Sequence, residues 1–255
     1  DIGVAMGQRG SDVSREVADL VLLDDNFATI TAAIDEGRGI YMNILKFIRF
    51  LFSTNVALVL LVAVGVTGAA VLGLRDEAGN LLVPLLAVQL LWINIIADGP
   101  PALALGLDRN PGVMRRRPRS PSAPLLTPSG IRFILTTGGL KGVLGLALFF
   151  TLPALGFAGA VTQTAVFLYE SLAQLAFAYP SRRLNGRPAP NRVLDVIIVV
   201  SVVLSILTIT LAPLRTLLGL VPLDATVLGY VAGALLVTVV GAEVWSRLTM
   251  NSQDD

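Results

Sequence analysis

The sequence contains no cysteine and no histidine, and only 15% of its 255 residues are charged. Without cysteine it can form no disulfide framework and no thiolate chemistry. Without either residue it lacks the usual nitrogen and sulfur ligands of zinc and copper, so any metal ion must be held by oxygen. The net charge of +1 says little by itself, and we expect no nucleic-acid partner.

Apolar residues make up 54% of the chain, and the mean hydropathy is +0.75. Soluble domains seldom have such a composition. A helix needs about 20 apolar residues to cross the hydrocarbon core of a bilayer. The sequence therefore predicts an all-α polytopic membrane protein whose partner is the lipid bilayer. Its six transmembrane helices are predicted at residues 50–74, 82–107, 131–155, 161–179, 193–212 and 225–245.

The arginines are concentrated in two of the connections between the predicted spans. They are Arg109, Arg115, Arg116, Arg117 and Arg119 after the second span, and Arg182, Arg183, Arg187 and Arg192 after the fourth. Short loops rich in arginine stay in the cytoplasm, which would place both chain ends there too. The 115–119 cluster could also dock a cytoplasmic domain or bind acidic lipid head groups.

The residues before the first span have a different character. Residue 1 is Asp rather than Met, and no long apolar run occurs before residue 49, so we expect a C-terminal piece of a longer protein. Residues 1–7 and 21–23 favour short buried strands, and residues 13–20 favour a helix between them. The predicted organisation is an α/β remnant (1–27), a stalk helix (28–49), two spans (50–107), an Arg/Pro-rich cytoplasmic loop (108–130), four spans (131–247) and a cytoplasmic tail (248–255).

The second span contains the most informative segment, Trp92–Pro101. Asn94 and Asp98 stand four residues apart and would share a helix face. The two prolines that end the segment lack amide hydrogens, which would leave the carbonyls of Ile96 and Ala97 without their helical donors. An ionisable residue at membrane depth costs at least about 2.5 kcal/mol, and broken helices occur there where the backbone lines a cavity or binds an ion. We therefore predict an oxygen-rich cation site.

Three further polar residues lie within predicted spans, and each has more than one interpretation. Asn55 could be a ligand or could hydrogen-bond across a helix interface. Glu170, with Gln174 one turn later, could be a ligand, a proton carrier or a buried protonated acid. Lys141 could extend its stem toward an interface, or it could pair with Glu170 and neutralise that acid. By contrast, Gly138 and Gly142 have the spacing of close helix packing.

Four motifs resemble the C-terminal half of P-type cation-transporting ATPases of the calcium-pump branch. They are Asp1-Ile-Gly-Val-Ala-Met-Gly7, Ala18-Asp-Leu-Val-Leu-Leu-Asp-Asp-Asn-Phe27, Glu36-Gly-Arg38 and Trp92-Ile-Asn-Ile-Ile-Ala-Asp-Gly-Pro-Pro-Ala-Leu-Ala-Leu-Gly106. The last is most similar to the secretory-pathway type that handles calcium and manganese. The resemblance implies that residues 1–27 are the end of a HAD-like phosphorylation domain.

The resemblance also implies which side chains bind the transported cation. Asn94 and Asp98 match ligands from the broken span, Asn55 matches one from the preceding span, and Glu170 matches a glutamate of the fourth span. Backbone carbonyls of the broken span would add oxygens.

Two positions depart from the two-site calcium pumps. Leu58 stands where those pumps have a glutamate, and Ala97 stands where they have a threonine. Losing two oxygen ligands should disable one site, which predicts one Ca²⁺ or Mn²⁺ per cycle. Calcium takes six to eight oxygens, so further ligands would come from the N-terminal half of the pump.

The chemistry of ATP is expected elsewhere in the pump. The phosphorylated motif Asp-Lys-Thr-Gly-Thr and the dephosphorylation loop Thr-Gly-Glu-Ser do not occur in this sequence. The resemblance therefore implies ATP and Mg²⁺ sites in the full-length protein, and a fragment that is inactive alone. The alternatives are a pump for Na⁺, H⁺ or Mg²⁺, a six-span secondary transporter with Asp98 and Glu170 as a relay, or a non-catalytic subunit. The compact loops favour a bacterial plasma membrane.

Overall fold

The structure is a computed structural model that describes residues 2–115, 118, 120, 122, 124–184 and 188–251. Four of the predicted cytoplasmic arginines, at 116, 117, 119 and 187, lie outside the described residues, as do Asp1 and the end of the tail. The elements run in the following order: β1 (Val4–Met6), α1 (Asp12–Val17), β2 (Leu20–Leu22), α2 (Phe27–Leu72), α3 (Ala87–Trp92), a π-helical turn (Ile93–Asp98), α4 (Gly99–Gly106), a 3-10 turn (Val113–Arg115), α5 (Pro128–Ala154), α6 (Gly159–Ser181), α7 (Arg192–Thr210), α8 (Ala212–Leu217) and α9 (Ala225–Asn251).

The N-terminal segment is a small β-α-β unit. Strands β1 and β2 pair in parallel, with Val4 opposite Leu20. The helix between them is shorter than predicted, because Leu20 donates its amide to the carbonyl of Gly3 and so belongs to the strand. The predicted burial is also incomplete, since only Ala5 and Leu22 of the two strands are buried. That the unit is the end of a phosphorylation domain stays a prediction.

Helix α2 unites the predicted stalk and the first span in one continuous element of 46 residues. At 1.5 Å per residue it is about 69 Å long, more than twice the hydrocarbon thickness of a bilayer. It begins where the side chain of Asn26 accepts a hydrogen bond from the amide of Ala28. It ends at Gly73, whose positive φ of 67° suits a residue without a side chain.

Five helical segments of the described residues are long and apolar enough to cross a membrane. They are Phe27–Leu72, Ala87–Gly106, Pro128–Ala154, Arg192–Thr210 and Ala225–Leu248. The chain is therefore a polytopic, mostly helical membrane protein. Helix α5 begins inside the predicted loop 108–130, because Thr127 caps it and a proline fits the first helical position.

Helix α6 corresponds to the fourth predicted span and has 23 residues, but its composition is too polar for the same criterion. It lies at the centre of the bundle, where it packs against α2, α5, α7 and α9. Most of its residues are buried, including Glu170 and Gln174. Polar side chains are tolerated on a helix that faces protein rather than lipid. The count of six spans stays a prediction for this reason.

Helices α2 and α5 approach each other closely at two glycines of α5. A Cβ atom on Gly138 would lie 2.5 Å from the carbonyl oxygen of Ser53, and one on Gly142 would lie 2.8 Å from a methyl carbon of Leu60. Beside this contact, Thr137 donates a hydrogen bond to the hydroxyl of Ser53 at 3.2 Å. The packing role that the spacing predicts for these glycines is confirmed.

Candidate cation site

The interruption of the second span is a π-helical turn. The amide of Gly99 donates to the carbonyl of Asn94, five residues back, and Pro100 and Pro101 stand in the first turn of α4. The predicted break is therefore a widened turn and not an unwound segment, because the chain keeps helical dihedral angles from Trp92 to Gly99. Single π-helical turns are rare in proteins, and those that do occur are frequently at functional sites.

Asp98 lies at the end of this turn and is 5% exposed. Its Oδ1 is 3.3 Å from the hydroxyl of Thr54 on α2, and the side chain of Gln174 on α6 lies beside it. Lys141 on α5 is close enough to act on its charge. The carboxylate therefore lies at the predicted break of the second span and faces polar side chains of three other helices. We call Asp98, Lys141, Glu170 and Gln174 the polar centre of the bundle. Thr54 itself was missed, although its position in Phe52-Ser-Thr-Asn-Val56 next to Asn55 could have indicated it.

Asn94 and Asn55 lie elsewhere. Asn94 is exposed, whereas Asp98, four residues later in the same turn, is buried. Asn55 is also exposed, and its amide donates to the carbonyl of Leu51 at 2.8 Å within its own helix. The described residues therefore do not bring these two amides together with Asp98 in one buried cluster.

Glu170 is paired with a cation of the protein itself. The Nζ of Lys141 lies 2.6 Å from Glu170 Oε2, and both side chains are 0% exposed. The same ammonium donates a hydrogen bond to Gln174 Oε1 at 2.8 Å. Of the two interpretations of Lys141, the pair with Glu170 is confirmed, and extension of the side chain to an interface is wrong.

A glycine makes room for this pair. A Cβ atom on Gly145 would lie 2.8 Å from Glu170 Oε1. The preceding residue on α6, Tyr169, donates its hydroxyl to the carbonyl of Lys141 at 2.9 Å and contacts the hydroxyl of Thr238 on α9 at 2.7 Å. Next to the charged pair, Tyr169 therefore links α6 to the backbone of α5 and to α9.

A second charged cluster joins the ends of several helices. It is centred on Asp108. The buried carboxylate of this residue accepts a hydrogen bond from Lys46 at 2.6 Å and two from the guanidinium of Arg182 at 2.7 and 3.0 Å. Asn191, the N-cap of α7, donates to the same carboxylate at 3.2 Å. Asn43 of α2 donates to the backbone carbonyl of Asp108 at 2.9 Å. We call these five residues the Asp108 cluster. The sequence reasoning missed it, although Asp108 is the one acidic residue among the arginines of its loop.

The described residues contain no group of three acidic side chains that could form a metal cage. The oxygen ligands near Asp98 are instead its own carboxylate and the hydroxyl of Thr54, with the backbone of the π-helical turn beside them, because the side-chain oxygen of Gln174 already accepts a hydrogen bond from Lys141. Calcium and manganese both bind oxygen donors of this kind, but such a set is smaller than the six to eight oxygens that calcium takes.

A helical membrane bundle with a carboxylate at a widened, proline-flanked turn belongs to the class of membrane proteins that carry a polar site at membrane depth. Residues 82–248 match the family described as "Cation transporting ATPase, C-terminus", and the chain belongs to this family. The family relationship that the four motifs indicated is thereby confirmed.

Relatives of the chain are named as calcium pumps. It is 37% identical over 221 residues to a "Calcium-transporting ATPase" of Bacillus subtilis, which covers 84% of this chain and 24% of that protein. It is 46% identical over 138 residues to the human "Calcium-transporting ATPase type 2C member 1", covering 54% of this chain and 14% of the relative. A "Calcium-transporting ATPase 1" of Yarrowia lipolytica is 47% identical over 133 residues, or 52% of this chain and 13% of the relative. The chain thus spans a quarter or less of these relatives.

Proposed function

We propose that this chain is the ion-translocating membrane part of an ATP-driven P-type pump that exports Ca²⁺, with Mn²⁺ as a second cargo. The observation that carries the proposal is Asp98, a carboxylate buried at a π-helical turn between α3 and α4, in a chain of the cation-transporting ATPase family. The names of the relatives support calcium as the cargo.

Asp98 is the charged ligand of the proposed site. The carbonyls of Ile96 and Ala97 contribute oxygens from the same turn, since the two following prolines cannot donate hydrogen bonds to them. Asn94 contributes its carboxamide oxygen from the exposed side of the turn, after its side chain reorients toward the ion. Asn55 provides its carboxamide oxygen as a ligand on the exposed side of α2, because only its side-chain nitrogen forms a hydrogen bond within the helix. Glu170 is a candidate ligand by resemblance, but its contact with Lys141 argues against that role.

The site handles one ion per cycle, because hydrophobic residues stand at two positions where two-site pumps have oxygen ligands. Mg²⁺ and ATP act on cytoplasmic domains in the N-terminal half of the pump. Helix α2 connects the β-α-β unit to the level of Thr54 and Asp98 without interruption, which suits a stalk that transmits motion. The remaining ligands come from spans that this chain does not contain.

In the proposed topology α6 crosses the membrane as the fourth of six spans, and both chain ends are cytoplasmic. The described arginines at 109, 115, 182 and 183 lie in the connections after α4 and after α6, and Arg192 begins α7 at the end of the second connection. The positive-inside rule assigns both connections to the cytoplasm. The membrane is a bacterial plasma membrane.

The test is phosphoenzyme formation from ATP in the complete pump that contains this chain, measured over a range of Ca²⁺, Mn²⁺ and Na⁺ concentrations. We expect Asp98→Asn to abolish the ion-dependent phosphoenzyme, because a neutral amide cannot replace the charged ligand. Asp224→Asn is the matched control, since Asp224 is an exposed carboxylate outside the helices of the site. Ion dependence that is unchanged in Asp98→Asn would overturn the site, and phosphorylation that responds to Na⁺ alone would overturn the cargo.

A further inference from the structure

Lys141 is the residue whose position the proposed function does not explain. It lies in the middle of α5, is 0% exposed, and does not reach a membrane interface. A buried ammonium needs compensating charge and hydrogen bonds, and Lys141 obtains both from α6. Glu170 supplies the charge at 2.6 Å, and Gln174 Oε1 accepts a hydrogen bond at 2.8 Å.

These two oxygen atoms contact the ammonium as they could contact a small bound cation. They stand one helical turn apart on α6 and face the same point. Calcium–oxygen distances are about 2.3–2.6 Å, close to the distance between Nζ and Glu170 Oε2. The ammonium therefore occupies the position from which a divalent ion could use these oxygens, and Gly145 leaves no side chain in the way.

The charges of the polar centre fit this arrangement. Asp98 and Glu170 are acidic and Lys141 is basic, so one carboxylate remains in excess when all three are charged. Lys141 acts electrostatically on Asp98 as well as on Glu170. Its charge is fixed to α5 and cannot leave the membrane as a transported ion does.

We propose that the Lys141 ammonium is a resident cation that permanently fills the Glu170–Gln174 subsite, so that the transported divalent ion binds only on the Asp98 side. The proposal rests on the proposed function, because it concerns the same polar centre. It explains how a carboxylate can be retained on α6 without a second ion being carried.

The experiment compares four forms of the complete pump: wild type, Lys141→Met, Glu170→Gln and the double variant Lys141→Met/Glu170→Gln. Bound ⁴⁵Ca²⁺ per phosphorylatable enzyme gives the stoichiometry, and titration gives the apparent affinity. Methionine keeps most of the length of lysine without its charge. The double variant removes both charges, and replacing a buried ion pair by neutral groups is often tolerated by the fold.

We expect one ion per enzyme in wild type. In Lys141→Met we expect a second ion of lower affinity, because the freed carboxylate and amide accept it while the oxygen ligands missing at positions 58 and 97 still weaken its binding. Glu170→Gln should lower the affinity at least about tenfold, because the ammonium then acts on Asp98 without compensation. The double variant should recover an affinity within about threefold of wild type, because the added positive charge is gone.

Other results separate the two hypotheses. If the double variant binds as weakly as Glu170→Gln, then Glu170 is a ligand and the resident-cation proposal is wrong. Two ions in wild type, or one ion at unchanged affinity in a folded Lys141→Met, would also overturn it. If wild type binds no calcium or manganese at all, the proposed function itself fails.

Discussion

Gly138 shows how a single missing side chain sets the distance between two helices. The carbonyl of Ser53 lies where a Cβ atom of residue 138 would be, so α5 and α2 touch through backbone atoms. Gly139, the next residue, has nothing within 4 Å of its Cβ position. The two glycines are therefore alike in sequence but opposite in what they require.

We predict that Gly138→Ala destabilises the protein by about 1–3 kcal/mol, because the added methyl group forces the helices apart. Gly139→Ala is the matched control and should be neutral or slightly stabilising, since alanine favours a helix more than glycine does. Thermal unfolding in detergent measures both. Equal unfolding midpoints for the two variants would contradict the prediction, because they would show that α2 and α5 can move apart without loss of stability.

At the scale of elements, the Asp108 cluster joins α2, the end of α4, the end of α6 and the start of α7. Burial raises the pKa of the Asp108 carboxyl, but hydrogen bonds from Arg182 and Lys46 and the charges of both lower it by more, so that it lies below its ordinary value. A depressed pKa means that the ionised carboxylate stabilises the folded state. That contribution is complete above the ordinary pKa of about 3.9 and is lost as the pH falls through the lower folded-state pKa.

We predict that Asp108→Asn lowers the unfolding free energy at pH 7 by about 3–5 kcal/mol, because it leaves Lys46 and Arg182 without their carboxylate. Below pH 4 the difference from wild type should shrink. The control is Asp195→Asn, an exposed acid in the first turn of α7 that should cost less than about 1 kcal/mol. The measurement is the unfolding midpoint between pH 3 and pH 7. A difference that stays constant across this range would contradict the assignment.

At the scale of the whole molecule, the mostly buried helix α6 is also the long helix that is too polar to meet the criterion for a membrane span. Helix α6 holds Glu170 and Gln174 in the centre, whereas α7 has charged residues only in its first turn and exposes several valines beyond it. In the proposed six-span topology, α6 is therefore stabilised by packing against its neighbours rather than by its own composition.

We predict that α6, inserted alone as a test segment in a host membrane protein, crosses the membrane in a minority of molecules, whereas α7 crosses in most. A charged residue at the centre of a helix costs about 2.5–3.5 kcal/mol on insertion scales. Glu170→Leu should raise insertion of α6 several-fold. Glycosylation sites that flank the segment report the fraction inserted. Efficient insertion of unmodified α6 would show that its polarity does not matter.

The sequence by itself determined the membrane class, the helical segments, the close packing at Gly138 and Gly142, and the turn at Asp98. Each depends on composition, spacing or proline chemistry within a few residues of the chain. The tertiary structure decided which side chains those residues contact. Asp98 contacts Thr54 from 44 residues away, and Lys141 meets Glu170 rather than an interface. Such pairs follow from how helices pack across the bundle, and local pattern does not encode which faces come together.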